Sequence, residues 1–160
     1  MKTFIGVKII DAQPMTKHGF LNKIKNEDVS SGEANLPGYH VVYPDGYESW
    51  SPKEAFEEAY RETTEGCMTF GLAIEALKKG KRVARKGWNG KDMWIAYVDG
   101  RRTGIATVIF GVEGKNQFMR DNPGLDHVLP FIVLKGVSGQ LNTWAPSISD
   151  SLSEDWVIVE

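Results

Sequence analysis

Arg85, Trp88 and Asn89 are the residues whose types and spacing are best suited to holding a small ligand. They fall within five consecutive positions, where Asn89-Gly90 predicts a tight turn. An indole ring can stack on a base, and an arginine can hold a phosphate with two donors. An arginine, a large aromatic ring and an amide in one turn therefore predict a nucleotide site.

The charge of the surrounding segment is strongly positive. It contains seven basic and no acidic residues, namely Lys78, Lys79, Lys81, Arg82, Arg85, Lys86 and Lys91. The rest of the chain holds 19 − 7 = 12 basic against 21 acidic residues, so a local +7 lies in a background of −9. This asymmetry predicts an anionic partner. For the lysines alone, the alternative is a solvated helix end, where cations also suit the helix dipole.

The elements that must position these residues lie in 69–98. Thr69 is predicted to cap an amphipathic helix that ends at Gly80 and presents one apolar face, formed by Phe70, Ala73, Ile74 and Leu77. A short basic strand, the Asn89-Gly90 turn and an alternating strand over 93–98 are predicted next. The segment is therefore predicted to form helix, strand, turn and strand.

The residues before this region predict a small module of their own. They indicate a strand over 4–10, a short helix within 16–25 and a hairpin over 39–50. Ser51-Pro52-Lys53-Glu54 resembles a capping box that opens a helix running to about Arg61. These elements predict a small α+β domain over 1–61.

A polar linker, Glu62-Thr-Thr-Glu-Gly66, separates this module from a second domain over 67–160. The predicted elements after residue 98 are a strand over 105–110, a long loop over 111–126, a hairpin of 131–134 with 141–144, a helical turn from Ser147 and a strand over 156–159. The predicted fold class is α+β, with an antiparallel sheet and a packed helix in the second domain.

Composition restricts the classes of function. With 160 residues, of which 41% are hydrophobic, the chain can form one domain or two small ones. It shows no signal peptide and no apolar run long enough for a membrane, so we expect a cytoplasmic protein with no membrane partner. The lone Cys67 and three scattered histidines predict no disulfide, metal or cofactor site. A net charge of −2 argues against binding to a nucleic-acid polymer.

Several motifs of the second domain resemble one phage family. They are Met68-Thr-Phe-Gly, Val83-Ala-Arg85-Lys-Gly-Trp88-Asn89, Leu129-Pro-Phe-Ile, Trp144-Ala-Pro-Ser147 and Glu154-Asp-Trp156. In this order, and over about 67–160, they resemble the second Thoeris anti-defence family. Residues 1–61 lie outside the resemblance and look like a small phage module of unclear role.

The resemblance implies a fold, an assembly and a function. It implies a helix packed on a twisted antiparallel sheet, assembled into a homo-oligomer such as a dimer or tetramer. Members of the family sequester cyclic ADP-ribose isomers, which TIR-domain defence proteins make in the infected bacterial cell, without degrading them. Some members also take cyclic dinucleotides. The resemblance therefore implies a non-enzymatic sponge for a cyclic nucleotide signal, with no catalytic residues.

The resemblance also implies ligand-binding residues. Arg85, Trp88 and Asn89 match the turn of the family, and Thr143, Trp144 and Ser147 match its Trp-x-Pro-Ser segment. The predicted loop over 111–126 and the N-terminal module depart from the minimal family pattern.

Other interpretations stay open from the sequence. The tryptophans can be core residues, which we expect of Trp156 and Trp94 within strands and least of Trp88 in a turn. A nucleotide-processing enzyme needs a base or nucleophile. The candidates Asp150, Glu154, Asp155 and His127 cluster only loosely in sequence, and surface acids are the simplest explanation. A phage protein-interaction module is the other alternative.

Overall fold

The structure is a computed structural model that describes residues 2–3, 5–27, 35–100 and 129–159. The chain divides into two compact units, Met1–Arg61 and Glu62–Glu160. The predicted strand over 105–110 and the predicted loop over 111–126 lie outside the described residues. In the described part of the chain, no helix combines the length and apolar character needed to cross a membrane.

The first unit is a three-stranded antiparallel sheet with two short helices. Its elements are β1 (Asp11–Pro14), α1 (Lys17–Lys23), β2 (Gly38–Val42), β3 (Glu48–Pro52) and α2 (Lys53–Ala59), with strand order β1-β2-β3. Phe20 of α1 packs on His40, whereas Phe56 of α2 stacks on Tyr39. Because neighbouring residues of a strand point to opposite faces, the two helices cover opposite faces of this sheet.

Two local predictions for this unit are wrong. Residues 5–10 form no strand, because β2 ends at Val42, which already pairs with Asp11, and leaves no strand opposite the preceding residues. Ser51 does not cap α2, since it pairs with Tyr39 in the sheet and Pro52 takes the capping position without a side-chain hydrogen bond. The hairpin and the helix capped by Thr16 are confirmed.

The described residues of the second unit form a five-stranded antiparallel sheet and one main helix. Its elements are α3 (Phe70–Lys78), β4 (Arg82–Arg85), β5 (Trp94–Val98), β6 (Phe131–Lys135), β7 (Leu141–Trp144), α4 (Ile148–Ser151) and β8 (Trp156–Val159). The strand order is β7-β6-β5-β4-β8. The C-terminal strand therefore lies beside β4, which carries Arg85.

Helix α3 covers one face of this sheet, as its sequence predicts. The Thr69 hydroxyl accepts a hydrogen bond from Leu72 N at 3.4 Å, and Gly80 ends the helix with a φ of +79°. The core of the unit consists of Met68, Ala73, Ala76, Leu77, Val83, Ile95 and Trp156. The predicted class, α+β with a helix packed on an antiparallel sheet after a small α+β module, is confirmed.

Candidate functional site

The guanidinium of Arg85 is held by two carboxylates at the end of β4. Arg85 Nε donates to Asp155 Oδ1 at 2.8 Å, and Nη2 donates to Asp155 Oδ2 at 3.4 Å. Arg85 Nη1 donates to Asp150 Oδ1 at 2.9 Å. The pairing of Arg85 with Trp156 across β4 and β8 brings the preceding Asp155 to the guanidinium. Arg85 is therefore part of an ion-pair network and not an open anion site.

Asp150 is the centre of this network. Its carboxylate also accepts hydrogen bonds from Trp88 Nε1 at 3.3 Å and from Ser147 Oγ at 2.7 Å. The Ser147 backbone N–H donates to it at 3.1 Å, which completes a capping box at the start of α4. The residue is only 9% exposed, so these donors replace water. Asp150 thus connects Arg85, Trp88 and Ser147.

Both carboxyl groups are held in the ionised form. Burial raises the pKa of Asp150, but hydrogen bonds from Ser147, Arg85 and Trp88 outweigh this effect and lower it to about 2. The hydrogen bond from Arg85 lowers the pKa of Asp155 against a smaller effect of burial, and Gly87 N lowers it further. Two carboxylates with lowered pKa are weak general bases near neutral pH.

An aromatic cluster lies against this network. The Trp88 ring meets Trp156 edge-on at 5.5 Å between centroids, and it meets Trp144 at 6.2 Å. Trp156 is fully buried, as expected from its strand, whereas Trp88 and Trp144 are half-buried. The expectation that Trp88 is the tryptophan least suited to the core is corrected, because its ring packs on Trp156. Trp94 is half-buried, next to the guanidinium of Arg82.

The connection between β4 and β5 is longer than the predicted turn. It spans 86–93, and its non-glycine residue with positive φ is Asp92 at +56°, so the predicted tight turn at Asn89-Gly90 is wrong. Lys135 Nζ donates to Asp92 O at 2.8 Å and fixes the far end of the connection. Trp88 N donates to Arg85 O at 3.3 Å at its start. Asn89 lies exposed between these two points.

The charge of the basic segment is partly compensated in space. Lys78 and Lys79 pair with Glu75 at 2.8 and 3.8 Å, and Lys86 pairs with Glu65 at 3.6 Å. These acids lie outside the segment in sequence but next to it in the fold. Together with the Arg85 network, they reduce the local +7 inferred from the sequence. Lys78 and Lys79 are exposed, which supports the alternative interpretation that they form a solvated helix end.

The structure brings some of the predicted ligand-binding residues together and separates one. Arg85, Trp88 and Ser147 meet at Asp150, and Trp144 lies beside Trp88. Asn89 follows Trp88 directly. Thr143 is different, because Trp144 packs on the core and the preceding residue of a strand points to the other face.

Asp150 and Asp155 are the residues that sequence reasoning missed. Asp150 lies three residues after Ser147, a spacing typical of a helix cap, and this signal could have identified it as partly buried. No local sequence pattern predicts the contact of Asp155 with Arg85. It reaches Arg85 only because β8 pairs with β4, across 70 residues of sequence.

The arrangement favours binding over acid–base chemistry. Half-buried indole rings border a network in which the described carboxylates and the guanidinium already satisfy each other. Among the described residues, no group of three or more histidine, cysteine or acidic side chains could hold a metal ion. The surfaces suited to ligand contact are the open parts of the Trp88 and Trp144 rings, with the exposed Asn89 and Ser147 nearby.

Comparison with known proteins places this site within a family. The family model described as the Thoeris anti-defense 2-like domain matches residues 68–159, which include the whole network. A curated relative, Thoeris anti-defense 2 of Bacillus phage SP01, is 35% identical over 92 residues, covering 58% of this chain and 94% of the relative. This chain belongs to the Thoeris anti-defense 2-like family.

Proposed function

We propose that this protein binds a cyclic nucleotide immune signal, such as a cyclic ADP-ribose isomer or a cyclic dinucleotide, and sequesters it intact. Membership in an anti-defence family supports a phage anti-defence role. The observation that carries the finer proposal is the pair of half-buried indoles, Trp88 and Trp144, beside the Asp150 network. The proposed site of action is the cytoplasm of the infected bacterial cell.

The two indoles supply the main binding surface in this proposal. Their orientation is set by contacts with the buried Trp156, and Trp88 is further held by its hydrogen bond to Asp150. A ring fixed before the ligand arrives loses little conformational entropy on binding. Stacking on such a ring contributes about 1–3 kcal/mol per base. Two platforms therefore account for a large part of tight binding.

Polar residues at the rim complete the proposed site. The amide of Asn89 is exposed and can donate to ribose or phosphate oxygens. The hydroxyl of Ser147 already donates to Asp150, so we propose that it accepts a hydrogen bond from a ribose hydroxyl. We assign Arg85 mainly a positioning role, because both of its aspartate partners compete with any phosphate. Since Thr143 points to the other face of the sheet, we propose that it contacts ligand only across an interface between protomers.

The electrostatics favour sequestration over turnover. A general base works best when its pKa lies near the operating pH, whereas the pKa of Asp150 is about 2 and that of Asp155 is lowered. A bound nucleotide thus meets aromatic and hydrogen-bonding surfaces rather than a poised base or acid.

We also propose that the protein forms a homo-oligomer, either a dimer or a tetramer. Light scattering would measure the mass of this assembly.

Capture and release of ligand test this proposal. Purified full-length protein is mixed with each of several cyclic ADP-ribose isomers and cyclic dinucleotides, freed of unbound ligand, and denatured by heat. Chromatography with mass spectrometry then identifies what is released. We expect one of these nucleotides to be recovered unchanged at a fixed ratio to protein.

Matched variants make the result specific. Trp144→Ala should abolish recovery, whereas Leu36→Ala, which removes an exposed apolar side chain from the first unit, should not change it. Release of a converted product would instead support an enzyme. Failure of every nucleotide in the panel to co-purify would reject the proposal.

A further inference from the structure

The first unit carries a continuous aromatic surface that the proposed nucleotide site does not use. The Tyr39 ring stacks on Phe56 at 4.1 Å between centroids, and Phe56 stacks on Tyr60 at 4.9 Å. Burial and the nearby Tyr43 raise the pKa of Tyr60, and the Tyr43 ring lies 5.8 Å from that of Tyr47. We call these five residues the tyrosine face.

Packing within the unit accounts for only part of this surface. The stack of Phe56 on Tyr39 attaches α2 to the sheet, yet α2 has no fully buried residue. Tyr43 and Tyr47 lie at the hairpin turn, beyond the strands, and Tyr47 is 62% exposed. A row of aromatic rings left half open and rimmed by polar groups is typical of a recognition surface.

A lysine of the same chain already occupies one end of the tyrosine face. The ammonium of Lys8 lies 4.8 Å from the centroid of the Tyr43 ring, within the range of a cation–π contact. Lys8 is exposed and belongs to residues 5–10, which form no helix or strand. This contact indicates that the tyrosine face can bind an ammonium group. Because Lys8 is exposed, the ammonium group of another chain can displace it.

The charge around the tyrosine face also favours the binding of ammonium groups. Tyr39 Oη donates to Glu57 Oε1 at 2.8 Å, so a carboxylate lies at the edge of the stacked rings. Helix α2 carries two further exposed glutamates, Glu54 and Glu58. Residues 1–61 contain nine acidic and seven basic residues, a net charge of −2. An acidic, π-rich surface attracts ammonium groups and repels phosphates, which disfavours a nucleic acid.

We propose that the tyrosine face is a docking surface for a lysine-bearing peptide segment of a partner protein. In the free protein, Lys8 occupies the position that a lysine of the partner takes in the complex. The ammonium groups of the partner then form cation–π contacts with the rings and ion pairs with the carboxylate of Glu57. This binding function is independent of nucleotide capture, which we assign to the second unit.

A labelled hexalysine peptide tests this proposal with the full-length protein. Fluorescence anisotropy measures its binding at about 0.15 M salt, where longer-range attraction between exposed charges is largely screened, and labelled hexaglutamate serves as the opposite-charge control. Lys8→Ala should tighten hexalysine binding at least threefold by freeing Tyr43, and Lys2→Ala, the same charge change at an exposed residue, should not match this gain. Tyr47→Ala should weaken binding at least threefold, and Leu36→Ala should not.

Any of the following results would overturn the proposal. One is equal tightening by Lys8→Ala and Lys2→Ala, which would reflect net charge alone. The other is hexalysine binding that Tyr47→Ala leaves unchanged, or that is no tighter than hexaglutamate binding. Because Tyr47 is largely exposed, its replacement should not unfold the unit, and circular dichroism of each variant verifies this.

Discussion

Arg85 Nη1 and Asp150 Oδ1 lie 2.9 Å apart, and the same aspartate oxygen accepts the hydrogen bond from the Trp88 indole. The ion pair therefore sets the orientation of the proposed ligand platform. It also links α4 to β4 and to the 86–93 connection that directly follows β4, both of which are distant from α4 in sequence.

Asp150→Asn should destabilise the second unit. It leaves Arg85 without one of its two partners in a partly buried site, and breaking such a pair costs roughly 3 kcal/mol. Urea denaturation followed by tryptophan fluorescence reports this unit, which holds four of the five tryptophans. Glu154→Gln makes the same chemical change at an exposed neighbour and should have little effect. Equal stability of the two variants would contradict a structural role for Asp150.

Stability should also depend on pH through Asp150. Its pKa is lowered from 3.8 in the unfolded chain to about 2 in the folded one. The resulting stabilisation, about 2 kcal/mol, is present above the unfolded pKa and is lost as pH falls through the folded pKa. Between pH 5 and 2, roughly, the wild type should therefore lose more stability than Asp150→Asn. Parallel profiles for the two proteins would show that folding does not lower the pKa of Asp150.

Trp88→Ala should affect both binding and folding. The sequence alone suggests that this change leaves no core cavity, but the ring packs on Trp156, so we now expect a loss of about 2 kcal/mol as well as loss of capture. Trp88→Phe keeps an aromatic ring and should retain part of both properties. Chemical denaturation and the release assay separate the two effects. Full capture by Trp88→Ala would exclude Trp88 as a platform.

Arg85→Lys should reduce capture much more than Lys78→Ala or Lys79→Ala. A lysine cannot contact two carboxylates with the geometry of a guanidinium, so the network that holds Trp88 should loosen. Lys78 and Lys79 form only exposed pairs with Glu75, which contribute little. We expect at least a tenfold loss of affinity for Arg85→Lys and less than twofold for each lysine variant. Equal losses in all three would indicate a diffuse positive field.

Gly90→Ala tests the shape of the 86–93 connection. A Cβ atom at this position would collide with Met93 Sδ and with Val137 of the β6–β7 hairpin, so the connection would have to shift. Capture should fall several-fold, since Asn89 and Trp88 belong to the same connection. Gly71→Ala adds a methyl group on α3 where, among the described residues, only Thr69 lies near, at 3.7 Å, and it should leave capture unchanged. Normal affinity in Gly90→Ala would show that the connection does not shape the site.

Local signals in the sequence were sufficient for much of this fold. Thr69 and Gly80 mark both ends of α3, and Ser147 marks the start of α4, because caps act through the nearest backbone groups. The β-prone residues 5–10 show the limit of such signals. A strand needs a partner as well as a suitable composition, and β2 offers none beyond Val42.

The candidate site was less accessible from sequence than the fold. The spacing of Ser147 and Asp150 is a local capping signal, but the contacts of Asp150 with Trp88 and Arg85 follow only from the tertiary fold, in which β8 pairs with β4. Long-range pairing likewise neutralises cations such as Arg85, which has no acidic residue close to it in sequence. The opposite orientation of Thr143 follows from its strand register, which its motif does not encode.

The most direct test observes the indole N–H signals of the five tryptophans by nuclear magnetic resonance during a titration with the captured nucleotide. Single tryptophan variants assign the signals. We expect the signals of Trp88 and Trp144 to shift to saturation at a fixed stoichiometry, while that of Trp50 in the first unit stays in place. We also expect the nucleotide to remain chemically unchanged. Saturable shifts confined to Trp50 or Trp94, or conversion of the nucleotide during the titration, would contradict it.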